Sequence, residues 1–137
     1  MSFTPFRHRI RVRYGETDRM GVVYHAEYLA WMDEARTEYL RRKGMPYHEL
    51  EASGIGLAVR RVELRYRAPA RFGHDVDVLV TVDRVRGASI AFSYRIEEAE
   101  TATHLADAFV ELAAMEFGQE VIRPVPLPKR LRELLEP

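Results

Sequence analysis

The chain has 137 residues, of which 47% are hydrophobic, and its 21 Lys and Arg residues balance 21 Asp and Glu residues. This length is typical of a single domain, so one domain over 1–137 is expected, and the apolar content excludes a disordered chain. A net charge of zero argues against a nucleic-acid partner held by bulk charge. The absence of cysteine excludes disulfides, thiolate metal sites and a cysteine nucleophile.

Alternating residues predict a first strand over Phe6 to Tyr14. Four arginines share one face of this strand, and Tyr14 takes the last inward position. No aromatic residues interleave with the arginines to stack on bases, so a solvated face is favoured over a nucleic-acid surface.

A helical period follows from Ala26 to Lys43, with a broad apolar stripe that includes the single tryptophan, Trp31. Gly44 supplies a typical residue for the end of the helix. Arg36 falls inside the apolar stripe, where a guanidinium needs a carboxylate or several carbonyls. A structural ion pair is favoured for Arg36 over direct contact with a ligand.

The remainder of the chain predicts a largely antiparallel sheet. After a short helical turn and a loop over Tyr47 to Gly56, four runs have the composition or alternation of strands, and a short C-terminal helix ends the pattern. The strands are Leu57–Arg67, Asp75–Val85, Ala88–Glu97 and Leu105–Phe117, and the helix is Lys129–Glu136. This order indicates an α+β fold with one long helix on a five-stranded antiparallel sheet.

One helix covers only part of such a sheet. The run Leu105–Phe117 is apolar on nearly both faces, which is typical of a strand covered on both sides. Because no second long helix is available, we expect a second copy of the chain to cover the other face, in a homo-oligomer built from a two-fold dimer.

The candidate chemistry lies in the loop between the first strand and the long helix. Asp18 is the leading candidate for a general base, and the apolar residues Met20 to Val23 are expected to desolvate it. Its alternative role is a turn or helix cap. Glu16, on the same loop, ranks lower as a base.

Two further residues accompany Asp18. His25 is a candidate proton shuttle or, alternatively, a partly buried hydrogen-bonding residue. Tyr14 either orients the acid or belongs to the core. The start of the helix offers free backbone N–H groups. The histidines are scattered and no nucleotide or serine-nucleophile motif occurs, so no metal or cofactor site is predicted.

The segment YGETDRMGVVYHAEY, Tyr14 to Tyr28, resembles the signature of 4-hydroxybenzoyl-CoA-thioesterase-like hotdog proteins, and most resembles the Tol-Pal-associated acyl-CoA thioesterases. The later segments EARTE and YRAPA, at 34–38 and 66–70, are similar to the same branch. The resemblance covers nearly the whole chain. It implies a hotdog fold, in which a five-stranded antiparallel sheet wraps around one long helix, with a short C-terminal helix.

The resemblance also implies a division of roles. Asp18 would act as general base on water or as nucleophile on a thioester carbonyl, Tyr14 and His25 would orient the acid or the substrate, and a backbone N–H near His25 would be the oxyanion donor. The pantetheine arm would follow the strand at Leu57 to Arg61. Residues expected to contact substrate are Gly21, Val22, Val23, Tyr24, Val59, Arg60 and Arg61, with Arg60, Arg61 or Arg86 as candidates for the CoA phosphates.

The implied function is hydrolysis of an acyl-CoA thioester at a site on a dimer interface, in a cytoplasmic homotetramer that needs no cofactor, nucleic acid or membrane span. Met20 stands where the motif often has a small residue, so the acyl pocket is expected to differ in shape. Two alternatives stay open: a hotdog hydratase or dehydratase, and a non-catalytic acyl-CoA-binding protein.

Overall fold

The computed structural model describes residues 5–118 and 121–136, which form one helix-covered antiparallel sheet. In chain order the elements are β1 (Phe6–Arg11), a 3₁₀ turn (Tyr14–Glu16), α1 (Glu27–Lys43), α2 (Tyr47–Ala52), β2 (Ile55–Tyr66), β3 (Asp75–Val85), β4 (Ser89–Glu98), β5 (His104–Phe117), β6 (Ile122–Pro124) and α3 (Lys129–Leu135).

The sheet has the spatial order β1-β3-β4-β5-β2, with the short β6 beside β5. All pairs are antiparallel, as the hairpin connections predicted. In this order β2 is an edge strand that pairs only with β5 among the described residues. A bulge between Val59 and Arg61 interrupts that pairing, so two residues of β2 lie opposite one step of β5.

The long helix α1 supplies one side of the core. Its inward residues pack against the apolar face of the sheet. The helix ends at Gly44, whose φ of 103° lies in the left-handed region that a side chain disfavours. The buried residues of α1 are Tyr28, Trp31, Met32, Ala35 and Leu40.

The predicted α+β fold is confirmed, with three differences. The strand predicted to reach Tyr14 ends at Arg11, because Tyr14 begins the 3₁₀ turn. The segment before the C-terminal helix, where no strand was predicted, contributes β6, which pairs with β5 beyond the point where β4 has ended. A proline is tolerated there because an edge strand has a neighbour on one side only, so the missing N–H can lie on the unpaired side.

The third difference concerns β5. Its inward residues, such as Val110 and Leu112, are buried, whereas Phe109 and Glu111 on the other face are half-buried. No helix covers that outer face within the described residues. Charged side chains contribute to covering it: Arg61 and Arg84 lie over the ring of Phe109, with their guanidinium carbons 5.5 and 5.8 Å from its centroid.

None of the helices in the described part of the chain has the length and apolarity needed to cross a bilayer.

The arginine face of β1 is explained by β3. Asp77, whose side chain has no exposed surface, accepts hydrogen bonds from Arg9 Nε at 2.9 Å and Arg7 Nη1 at 2.6 Å. These bonds, chiefly that from Arg9, hold the pKa of Asp77 below its usual value, although burial opposes the shift. Arg7 and Arg9 therefore pair with an acid of the same sheet while their side chains stay 53% and 59% exposed.

We predict that Asp77→Asn lowers the free energy of unfolding at pH 7 and that the difference from the wild type disappears in acid. Because the folded-state pKa is depressed, the carboxylate stabilises the fold above its unfolded pKa of about 4, and this contribution is lost as pH falls through the folded-state value. Urea unfolding at several pH values measures the difference. A difference that persisted unchanged at pH 2 would contradict the assignment.

Candidate active site

The loop that carries Asp18 is a closed turn. Thr17 and Val23 form an isolated bridge, and Asp18 N donates to Val22 O at 2.8 Å. Gly21 completes the turn by donating its N–H to Asp18 O at 3.1 Å, with a φ of 75° that explains the need for glycine. Residues 17–23 are therefore held in one conformation by their own backbone.

A second segment fixes this turn to the domain. Val23 N donates to Ala70 O at 2.9 Å, and Val22 forms a bridge with Arg71. The buried hydroxyl of Tyr28, in the first turns of α1, accepts a bond from Ala70 N at 3.2 Å. The turn and the start of α1 thus share one support, the segment that follows β2.

Glu16 joins the turn to the core. Its carboxylate accepts Trp31 Nε1 at 2.8 Å and Arg13 N at 2.7 Å, and its carbonyl accepts Tyr24 N at 2.8 Å. An acid engaged in this way is a structural residue. Glu16 is therefore not the alternative base, and the tryptophan in the sequence is the partner that could have revealed its role.

Asp18 has the turn-stabilising role that was the alternative to its role as a base. Its Oδ1 accepts Met20 N at 2.8 Å, which is the turn-stabilising bond of an Asx motif. Its Oδ2 has no hydrogen-bond donor within residues 5–118 and 121–136. One carboxylate oxygen therefore fixes the orientation of the group while the other stays available to a reactant.

The predicted desolvation of Asp18 is wrong for the single chain. Asp18 is exposed, and the neighbouring Met20 is 81% exposed because it points away from the domain. The turn is closed by backbone bonds and needs no apolar packing from Met20. Within the part of the chain that the structure describes, Asp18 therefore has no apolar cover.

Tyr14 is placed differently from its prediction. It is 78% exposed, and its ring meets Phe72 edge-on with centroids 5.6 Å apart. No hydrogen bond joins its hydroxyl to Asp18 in the described part of the chain, since the 3₁₀ turn redirects the side chain from the inward position. Tyr14 is neither a core residue nor an orienting group for the acid here.

His25 lies just before α1, exposed, with its ring 4.4 Å from that of Tyr24 and 6.4 Å from that of Tyr66. Its carbonyl accepts the hydroxyl of Tyr66 at 2.8 Å. Among the described residues, its backbone N–H has no hydrogen-bond acceptor. The N–H of Tyr24 donates to Glu16 O, and the N–H of Glu27 donates to Tyr24 O. The start of α1 therefore presents a free donor beside an exposed imidazole.

A groove of about 300 Å³ runs beside this donor. It separates the turn and the start of α1 from the end of β2. Its lining is mainly apolar, formed by Val22, Val23, His25, Tyr28, Tyr66, Arg67, Ala68 and Pro69. The contributions of Tyr28 and Tyr66 were missed from sequence, although the Tyr66-Arg-Ala-Pro segment had marked the family.

The predicted substrate residues divide into two groups. Val22 and Val23 line the groove, Gly21 shapes the turn beside it, and exposed Tyr24 stacks on His25. Val59, Arg60 and Arg61 do not line it. Val59 lies seven positions before Tyr66 on β2, which at about 3.3 Å per residue places it roughly 23 Å from the groove.

Arg60 and Arg61 lie at the bulge of β2. Arg60 pairs with Glu111, and Arg61 Nη2 lies 2.5 Å from Glu63 Oε1. Both arginines remain exposed. A single chain thus presents the catalytic candidates and the predicted pantetheine strand at separate places.

Comparison with known proteins identifies relatives over most of the chain. The family model described as the thioesterase-like superfamily matches residues 12–135. The Escherichia coli protein named acyl-CoA thioester hydrolase YbgC is 40% identical over 100 residues, which cover 73% of this chain and 75% of the relative. The family predicted from the Asp18 segment is confirmed.

Solved structures agree with the architecture. A hypothetical protein from Thermus thermophilus superposes with a TM-score of 0.86 at 36% identity, covering 94% of this chain and 95% of its own. A 4-hydroxybenzoyl-CoA thioesterase crystallised with 4-hydroxybenzoyl-CoA has a TM-score of 0.89, at 16% identity, covering 98% of this chain and 100% of its own. The second likeness shows the shared hotdog fold.

We predict that Glu16→Ala lowers the free energy of unfolding by about 1–3 kcal/mol, because it leaves the buried indole N–H of Trp31 without an acceptor. Glu16→Gln retains an amide oxygen that can accept this bond, and should cost less. Thermal and urea unfolding measure both variants. Equal losses for Ala and Gln would contradict a role based on accepting the indole bond.

Proposed function

The chain belongs to the thioesterase-like superfamily, and on that premise we propose that it hydrolyses acyl-CoA thioesters to a free acid and CoA. The observation that carries the proposal is that one loop holds both an oriented carboxylate, Asp18, and a free backbone donor. That donor is the N–H of His25, which has no acceptor among the described residues. The name of the Escherichia coli relative supports the substrate class.

Asp18 Oδ2 supplies the base or nucleophile. As a base, it takes a proton from a water molecule that adds to the thioester carbonyl, and the thiolate of CoA leaves. As a nucleophile, it forms an acyl anhydride that water then opens. A positioned base contributes about 10² to 10⁴ in rate.

The N–H of His25 supplies the electrostatic part. Addition to the carbonyl places negative charge on its oxygen, and a fixed donor aimed at that oxygen contributes about 10² to 10³ in rate. The positive end of the α1 dipole adds to the same effect. The imidazole of His25 contacts substrate at the mouth of the groove, next to Tyr24.

We further propose that a second copy of the chain completes the site. Large apolar side chains are exposed beside the Asp18 turn and along β2, and a cluster of this kind marks an interaction surface. The residues are Tyr14, Met20, Tyr24, Leu29, Val59, Val62, Tyr66 and Phe72.

The free edge of β2 suits such a partner. β2 is twelve residues long, and among the described residues no strand pairs with the side that faces away from β5. Its backbone N–H and C=O groups on that side favour pairing with another strand. A two-fold axis near the middle of β2 would bring Val59 of one copy toward the Tyr66 end of the other. This arrangement would unite the catalytic turn with the pantetheine strand and would desolvate Asp18.

The proposal extends to pairing of such dimers into a cytoplasmic homotetramer, as the family resemblance implies. Sedimentation velocity at micromolar concentration tests the assembly, and a monomer would exclude it.

We predict that Asp18→Asn lowers kcat for acyl-CoA hydrolysis by about 10² to 10⁴ while leaving the affinity for CoA thioesters largely unchanged. Asparagine retains the Oδ1 bond to Met20 N but cannot accept a proton. Thiol release from a panel of short, long, branched and aromatic acyl-CoAs measures the effect. Asp83→Asn, an exposed change at the end of β3, is the matched control.

Wild-type turnover in Asp18→Asn would exclude Asp18 as the catalyst. Binding of acyl-CoA without hydrolysis by the wild type would favour the non-catalytic alternative. Addition of water to an enoyl-CoA without thiol release would favour the hydratase.

We predict that two inactive variants restore activity when mixed. Asp18→Asn lacks the base, and Val59→Asp blocks the pantetheine strand with a charge. If each site combines Asp18 of one chain with Val59 of the other, an equal mixture that exchanges subunits has one intact site in half of its dimers, or about a quarter of wild-type activity. No recovery after subunit exchange, verified by mass-tagged chains, would place both residues in one chain's site.

A further inference from the structure

The guanidinium of Arg36 has more N–H donors than its structural ion pair uses. As predicted, it forms an ion pair: Nη2 donates to Asp33 Oδ1 at 2.5 Å, and Nη1 donates to the hydroxyl of Tyr94 at 3.1 Å. A guanidinium has five N–H groups, and its other three have no acceptor among residues 5–118 and 121–136.

The two members of the ion pair differ in exposure. The side chain of Arg36 is 12% exposed, whereas that of Asp33 is 63% exposed. Water therefore screens the acid far more than the cation, and Asp33 neutralises Arg36 only in part. A largely buried cation with unused donors favours a second anionic partner.

Arg36 also lines a cavity. This cavity, of about 180 Å³, opens between α1, α2 and the start of β2. It is lined by Asp33, Arg36, Thr37, Leu40, Tyr47 and Leu57. It is smaller than the roughly 300 to 1,000 Å³ of sites for drug-sized ligands, so it admits only a short acyl chain.

The position of the cavity links it to the pantetheine strand. Leu57 lies two residues before Val59 on the same face of β2, about 7 Å away, since the two pair with Ala114 and Leu112 on the inner face of β5. A pantetheine arm along Val59 to Arg61 therefore delivers its acyl group to the mouth of this cavity.

We propose that the cavity is the acyl subsite, and that Arg36 selects short acyl groups with a carboxylate at the distal end. This inference rests on the proposed thioesterase function and on the role of β2 in it. Leu40 and Leu57 contact the methylenes, and Arg36 pairs with the distal carboxylate, held in place by Tyr94. Arg36 is a specificity residue, and Asp33 competes with the substrate for it.

The test compares two thioesters of equal length, glutaryl-CoA and pentanoyl-CoA, which differ only in a distal carboxylate. The wild type should hydrolyse glutaryl-CoA with a kcat/KM roughly tenfold to a hundredfold higher, the range expected for one charge-assisted bond. Arg36→Met should remove this preference, so that kcat/KM for glutaryl-CoA falls to or below that for pentanoyl-CoA, while Arg36→Lys should retain part of it. Arg41→Met, an exposed arginine of α1 paired with Glu38, is the matched control.

A second variant, at an exposed position, gives a test that does not depend on whether the Arg36 variants fold. Asp33→Asn, at an exposed position, removes the competing carboxylate and should lower KM for glutaryl-CoA several-fold more than KM for pentanoyl-CoA. A 5-hydroxypentanoyl-CoA arm separates charge from hydrogen bonding: a preference equal to that for glutaryl-CoA would overturn the carboxylate assignment.

Equal hydrolysis of glutaryl-CoA and pentanoyl-CoA by the wild type would overturn the inference while leaving the thioesterase intact. If no acyl-CoA is hydrolysed, the proposed function fails, and calorimetric binding of the same two thioesters still decides the role of Arg36. Tighter binding of glutaryl-CoA to wild type than to Arg36→Met supports that role, and equal binding excludes it.

Discussion

The hydrogen bond between the carboxylate of Glu16 and the indole of Trp31 is the constraint on which the candidate site depends. Trp31 lies in the buried stripe of α1, so its N–H must find an acceptor, and the acceptor comes from the loop that precedes the helix. Glu16 also accepts hydrogen bonds from Arg13 N and Tyr24 N. The helix and both ends of the loop are thereby fixed together at one point, two residues from Asp18.

This constraint explains how an exposed turn can hold a defined geometry. The turn at Asp18 closes through its own backbone bonds, and Val23 attaches it to the segment after β2, which also bonds Tyr28 of α1. Asp18 needs only one of its oxygens for the turn. The structural role of an Asx residue and a chemical role for its second oxygen are therefore compatible.

Much of the fold could be predicted from period and turn residues. The bounds of α1 and β3 follow from strong amphipathic patterns and from Gly44, and the antiparallel pairing follows from the short connections. The end of β1 could not be predicted, because Tyr14 continues the alternation while the 3₁₀ turn changes its direction. β6 could not be predicted, because its segment contains prolines. Proline argues against a strand, although an edge strand tolerates it.

The site was predictable to a smaller extent. Asp18 and His25 were found from a motif, but the free N–H of His25 depends on which carbonyls its neighbours use, and no sequence pattern records that. The distinction between Glu16 and Asp18 depends on a partner fifteen residues along the chain, Trp31. The desolvation of Asp18 was assigned to the stretch from Met20 to Val23, although Met20 points outward and is 81% exposed.

The separation between Asp18 and Val59 is the central feature of the account, because the proposal of a site shared by two copies rests on it. The most direct measurement is a crystal structure of the protein with a thioether analogue of an acyl-CoA, which cannot be hydrolysed. The account predicts that the acyl oxygen lies within hydrogen-bonding distance of His25 N and near Asp18 Oδ2 of one chain, while the pantetheine arm follows Val59 of the other. An analogue bound away from Asp18, or held at both ends by a single chain, would contradict it.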